Sequence, residues 1–291
     1  MSILGSFTRV NRGLPCPVCE HRDWCLVRIN AAGQIVAAVC PRARSETRWG
    51  NAGFLHVLDR SEFRHGRVRP GLPPAPTRDF GSLAKRLQES APAYAVNWYA
   101  RDLKVSSESL RDLRFGLVEG ADLRRVGARY IRRAWSVPME DSQGRVIGIR
   151  LRQSNGRKFA VKGSRNGLFV PKALDDHGPL FIAEGETDAA ALLTLGLRVV
   201  GRPGAMACQE MLVRYVRDHE ERNVVVVADA DEVGLFGAQQ LAGELRSGGV
   251  RARVLVPDAE DARAWIVAGA TRDDVLAHSK KGGSAGEARG A

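Results

Sequence analysis

Residues 179–196 read PLFIAEGETDAAALLTLG and residues 223–234 read NVVVVADADEVG. Each is a short apolar run that ends in carboxylates and then opens into a helix. Leu180 to Ala183 lead into Glu184-Gly185-Glu186-Thr187-Asp188, and Val224 to Ala228 lead into Asp229-Ala230-Asp231. Apolar runs without alternation suit strands buried on both faces, as in a parallel sheet covered by helices. In such sheets the ligand site lies beyond the carboxyl ends of the strands, where these acids fall. Clustered carboxylates repel one another unless cations bind them. Oxygen-rich sets of this kind suit Mg²⁺ or Mn²⁺, hard ions that keep waters and bridge to phosphates. The chemistry expected is metal-assisted work on phosphates.

The pair Glu184-Gly185-x-x-Asp188 and Asp229-x-Asp231-x-x-Gly234 resembles the Toprim signature, shared by bacterial-type primases, topoisomerases, some nucleases and recombination mediators. The resemblance implies an α/β fold with a doubly wound parallel sheet over roughly residues 179–277. Strands are expected at 180–183, 198–201, 224–228 and 250–256, and helices near 187–195, 208–220, 233–246 and 259–268. Asp261 reads as a further metal-site carboxylate or as part of a helix start, with Asp258 as N-cap and Asp261 in the first turn.

The chain of 291 residues has a formal charge of +11, which points to a polyanionic partner. The charge is concentrated: residues 121–165 hold twelve Lys/Arg against three Asp/Glu. No run of eighteen apolar residues and no signal-peptide pattern occurs, so a cytoplasmic protein with no membrane partner is expected. In that compartment the five cysteines read as metal ligands or buried thiols, not disulfides.

Four of them, Cys16, Cys19, Cys25 and Cys40, fall in the first 40 residues. The Cys16-Pro-Val-Cys19 turn aims two thiolates at one point. Two hairpin strands, 24–30 and 34–40, would carry Cys25 and Cys40 to it and close a tetrahedral Zn²⁺ site. The spacing departs from the commonest ribbon, since Ala43 stands where a second Cys-x2-Cys would place its last cysteine. One ligand is therefore either Cys25 or His21, with Cys25 preferred. So small a segment with few large apolar residues needs such a staple.

Residues 66–79 are rich in Pro and Gly and read as a linker. A helix is expected over 80–98, with Leu83, Leu87 and Ala91 on one face, and another over 102–113 with a capped start at Ser106. Strands follow at 134–139, 145–152, 158–162 and 168–170, separated by turn residues. Alternation puts Gly148, Arg150 and Arg152 on one face and Ile147, Ile149 and Leu151 on the other. The cluster Arg150, Arg152, Lys158, Lys162 and Arg165 is read as a nucleic-acid or nucleotide-binding face.

The stretch 133–171, RAWSVPMEDSQGRVIGIRLRQSNGRKFAVKGSRNGLFVP, resembles the segment that precedes the Toprim motif in bacterial-type DNA primases and their phage and plasmid relatives. The order of zinc module, linker, basic subdomain and Toprim domain is theirs too. This resemblance implies a zinc-ribbon-like template-binding module at 1–65, a linker at 66–79, a mixed α+β basic subdomain at 80–176, a Toprim catalytic domain at 177–278 and a disordered tail at 279–291. It implies RNA primer synthesis on a single-stranded DNA template from ribonucleoside triphosphates. Asp229 and Asp231 would hold the divalent ion, helped by Asp188 or Asp261. Glu184 would be the general base or a further ligand, and Arg150, Lys158 and Lys162 would contact polyanions. The helicase-docking domain of replicative primases is not expected, so a replicative helicase partner would lie on a separate chain. The alternatives are a non-enzymatic DNA-binding protein like a recombination mediator, and a Toprim nuclease.

Overall fold

A computed structural model describes residues 7–30, 32–45, 47–49, 53–59, 78–128, 130–174 and 177–281. The chain divides into two compact units, Met1–Ala75 and Pro76–Ala291. Most of the expected linker, and of the tail beyond Lys281, lies outside the described residues. Among the described residues no helix is long and apolar enough to cross a membrane.

The first unit is an antiparallel sheet of β1 (Thr8–Arg9), β2 (Leu26–Ile29), β3 (Ile35–Cys40), β4 (Thr47–Arg48) and β5 (Phe54–Val57), in the order β1-β2-β3-β5-β4. Its apolar content is slight. One buried cluster joins Val10, Val27 and Ala38 to Cys16, Cys25 and Cys40, and a second holds Ala37, Val39 and Leu55.

The second unit opens with α1 (Phe80–Glu89), α2 (Ala93–Leu103) and α3 (Ser107–Asp112). The single helix expected over 80–98 is broken, because Pro92 has no N–H to donate and disfavours helical backbone at Ala91. Helix α3 begins one residue after Ser106, whose hydroxyl accepts the Ser109 amide at 3.0 Å. Next come β6 (Gly116–Glu119), α4 (Ala121–Arg125), β7 (Arg133–Glu140), β8 (Val146–Arg152) and β9 (Lys158–Ala160), with an antiparallel sheet in the order β6-β7-β8-β9. The strand expected at 168–170 is reduced to two bridges. Leu168 pairs with Glu140 of β7 and Phe169 with Gly201.

The remainder is β10 (Leu180–Glu184), α5 (Glu186–Thr194), β11 (Val199–Arg202), α6 (Gln209–Asp218), β12 (Asn223–Val227), α7 (Glu232–Ser247), β13 (Arg251–Leu255), α8 (Ala262–Val267) and α9 (Arg272–Lys281). The four strands are parallel, in the order β11-β10-β12-β13. Both faces are covered, which is why β10 and β12 show no alternation in sequence. Leu180, Ile182, Val224 and Val226 pack with Leu212, Val216, Leu241 and Leu245 of α6 and α7. Phe181, Ala183, Val225 and Val227 pack with Ala189 and Leu192 of α5, Trp265 of α8 and Val275 of α9. That second layer also contains Leu110, Trp135, Val137 and Met139, so the antiparallel and parallel sheets share one core. Helix α9 runs through Lys281, into residues expected to be tail.

Candidate metal and phosphate site

At the carboxyl end of β10 the chain must turn sharply into α5. Gly185 does this at φ +102°, a backbone conformation that a β-carbon would strain. At the end of β12, Gly234 packs so closely that a β-carbon would lie 2.6 Å from the Asp229 carbonyl oxygen. Both glycines of the motif are therefore needed to seat its acids.

The carboxylates converge. Asp229 is pushed up to about 8 by burial and then by Glu184, Asp188, Asp261 and Asp231, all of which act on it. Asp188 is pushed up to about 7 by burial and by Asp261, against the Arg263 amide that it accepts at 3.0 Å. Glu184 is raised by burial despite Arg202, and its Oε2 has no hydrogen-bond partner. Asp231 caps α7, accepting the Gly234 amide at 2.6 Å. Asp261, not Asp258, caps α8, accepting the Ala264 amide at 2.6 Å, so this helix starts later than expected. Crowding five acids together, with Asp188 buried and Glu184, Asp229 and Asp261 half-buried, is unfavourable with no cation between them. The donor set is all oxygen and fits a divalent ion that keeps part of its water shell. It is looser than a closed cage, since among the described residues only the four thiols bring all their ligand atoms within 4.8 Å of one another.

The basic residues divide. Lys158 is exposed and stands over Gly185, its Nζ 3.8 Å from where a β-carbon there would lie. Its charge lowers Glu184, Glu186 and Asp188 alike. Lys162 is exposed on the turn after β9, and Arg165, on that turn, is half-buried. Arg150 and Arg152 do not form the open face that alternation suggested. The face they occupy is covered: Arg150 is 7 % exposed, and Arg152 pairs at 3.2 Å with Glu186, itself 1 % exposed. Burial lowers Arg150, with Glu186 and Cys208 opposing. Glu186 and Arg202 were missed in the sequence, although each had a signal. Glu186 lies inside the motif, and Arg202 is a charge at the end of an apolar strand.

In the first unit the Cys19 and Cys25 sulfurs are 3.6 Å apart, and those of Cys25 and Cys40 are 3.8 Å apart. Four sulfurs at about 2.3 Å from a tetrahedral Zn²⁺ would be separated by about 3.8 Å, so the thiols already outline that site. Burial raises Cys19, but the His21 amide and the thiols of Cys25, Cys40 and Cys16 outweigh it and bring it down to about 7. Burial and the neighbouring sulfurs raise Cys25. The His21 ring is engaged elsewhere, its Nδ1 2.7 Å from the Cys19 carbonyl oxygen, which leaves the fourth position to Cys25.

Residues 181–266 match the family model described as Toprim-like. The sequence matches no curated protein significantly. The fold is similar to that of the DnaG primase catalytic domain bound to single-stranded DNA, with a TM-score of 0.51 and 19 % identity over 69 % of this chain and 78 % of that one. A DNA primase domain from Pseudomonas aeruginosa gives 0.51 and 20 % over 69 % and 78 %. The zinc-binding and RNA polymerase domains of the Aquifex aeolicus primase give 0.54 and 17 % over 69 % and 60 %. The chain thus carries a Toprim-like domain within the fold of a primase catalytic core.

Proposed function

We propose that this protein is a Toprim DNA primase that makes short RNA primers on single-stranded DNA, with a structural Zn²⁺ on Cys16, Cys19, Cys25 and Cys40. The observation that carries this reading is the meeting of Glu184, Asp188, Asp229, Asp231 and Asp261 with Lys158 of the antiparallel sheet. Asp229 and Asp231, with Asp188 or Asp261, would hold Mg²⁺ or Mn²⁺, which offsets the charge that builds during phosphoryl transfer. Glu184 is the candidate base for the attacking 3′-hydroxyl. Its half-buried, raised carboxyl, with an Oε2 that has no hydrogen-bond partner, has a proton affinity closer to working pH than an ordinary glutamate. Lys158, exposed beside these acids, would receive a phosphate of the nucleotide or template. The direct test is a priming assay with single-stranded DNA, labelled ribonucleotides and Mg²⁺. New short RNA supports the reading. A mediator-like protein would make no product, and a nuclease would shorten the input DNA.

Binding should weaken steeply with salt, because lysine and arginine contacts release counterions. Lys158→Ala with Lys162→Ala should flatten the salt dependence of single-stranded DNA binding by about two phosphate contacts. An unchanged slope would mean that these lysines are merely solvated. Arg150 is unsuitable for this test, since replacing it disturbs a buried charge.

The raised carboxyls also fix a pH dependence. In the unfolded chain Asp188 and Asp229 lose their protons near pH 4, whereas in the folded one they hold them to about 7 and 8. Between those limits the native state binds more protons, so the stability these groups contribute is full below about pH 4 and lost as pH rises through the folded values. Divalent ions compete with the same protons. The rise in Tm on adding Mg²⁺ should therefore be small near pH 6 and larger above about pH 8. A Mg²⁺-induced shift independent of pH would contradict this placement of the ion.

A further inference from the structure

Arg202 ends β11, and among the described residues it is the largest side chain to be wholly enclosed, at 0 % exposure. Its Nε, Nη1 and Nη2 have no hydrogen-bond partner. A guanidinium does not shed its proton in a protein, so this is a permanent interior charge. In the parallel pairing of β10 with β11, Arg202 stands directly beside Glu184. The two side chains therefore leave the same face of the sheet. The Gly185 amide donates to the Arg202 carbonyl at 2.7 Å, which fixes the register at the motif itself. The acidic groups acting on Arg202 are Glu184 first, then Asp229 and then the Cys208 thiol. Two acids at the centre of the candidate metal site are thus faced, from the protein interior, by a cation that makes no hydrogen bond with either of them.

We infer that Arg202 is a built-in counter-ion, which holds Glu184 and Asp229 in place before a divalent ion arrives and lowers their affinity for it. The inference rests on reading the carboxylates as a divalent-ion site. A cation that cannot leave reduces the repulsion among the acids of the empty site. The same fixed charge repels the incoming ion, so the acids alone bind it weakly. Retention then requires the additional oxygens of a nucleotide's phosphates, and the ion is free to leave with the product.

The test is Mn²⁺ binding to the full-length, nucleotide-free protein, read from the electron paramagnetic resonance of free Mn²⁺. Arg202→Met, which keeps length and removes charge, should bind Mn²⁺ about tenfold more tightly or better, whereas Arg202→Lys should stay within about twofold of wild type. Adding a ribonucleoside triphosphate should tighten binding much more in wild type than in Arg202→Met. Should Arg202→Met lose its cooperative melting, Arg202→Gln removes the charge while keeping donors and should shift affinity in the same direction. Charge-free variants that fold and bind Mn²⁺ no more tightly than wild type overturn the inference. Asp229→Asn separates the two readings. If wild-type binding survives that substitution, the carboxylates are not the ion's site, and both readings fall. If it is lost while Arg202→Met matches wild type, only the counter-ion role falls.

Discussion

Asp229→Asn should reduce primer synthesis by about three orders of magnitude while leaving the fold intact and somewhat more stable. The loss follows from removing a full negative charge at the point where a divalent ion is held. Several kcal/mol of transition-state stabilisation go with it, at about 1.4 kcal/mol per factor of ten. The gain in stability follows from the carboxyl's position. Burial and four neighbouring acids oppose its charge, so a neutral amide of the same shape is easier to enclose. Asp231→Asn should match it in activity but not in stability, because Asp231 is exposed and an asparagine can still cap α7 through the Gly234 amide. Single-stranded DNA binding should persist in both. Primer yields near wild type from either variant would remove the carboxylate site from the mechanism.

The second large effect concerns the first unit. Chelation, or Cys25→Ala, should abolish the antiparallel sheet β1–β5 outright. Among the described residues, half of its first cluster is thiol, and the other has only three fully buried residues. So small a core rarely supplies more than about 3–5 kcal/mol, whereas a structural Zn²⁺ supplies about 10–16 kcal/mol. Native protein should hold one Zn²⁺ per chain and Cys25→Ala close to none, with strand signal lost in circular dichroism. His21→Ala should keep the metal, because that ring contacts a backbone carbonyl instead of completing the thiol set. Zinc retained in Cys25→Ala, or lost in His21→Ala, would reassign the fourth ligand.

The parallel sheet could be read from sequence to within about a residue at each strand, most directly at its two central strands, β10 and β12, where burial on both faces leaves an uninterrupted apolar run that little else produces. The acids were legible for a related reason: they interrupt those runs where a strand must stop. β6 was not. Its four residues, Gly116–Glu119, are too short to show a period, and Gly116 is there because α1 passes so close that a β-carbon would meet the Leu87 backbone at 2.5 Å. The alternation of β8 gave the correct two faces but not what lay against them. Ile149 and Leu151 meet α1, whereas Arg150 and Arg152 turn inward to Glu186 and Cys208. A local pattern reports that a face is polar; whether water or a buried carboxylate answers it depends on residues some 35 positions away. Arg202 escaped notice for the same reason.

The core that the two sheets share bears on how the chain is made. Trp135, Val137 and Met139 are synthesised well before Phe181, Ala189, Leu192, Trp265 and Val275, with which they are buried. The bridge from Phe169 likewise waits for Gly201. A nascent chain that has reached residue 174 therefore carries an antiparallel sheet whose second apolar face is covered only in part, by α2 and α3, with Tyr99 stacked on Trp135 at 4.4 Å, whereas the side that α1 covers is complete. The part left bare invites chaperones or premature association until the parallel sheet emerges from the ribosome, and release of a chain truncated before β10 would leave it permanently open.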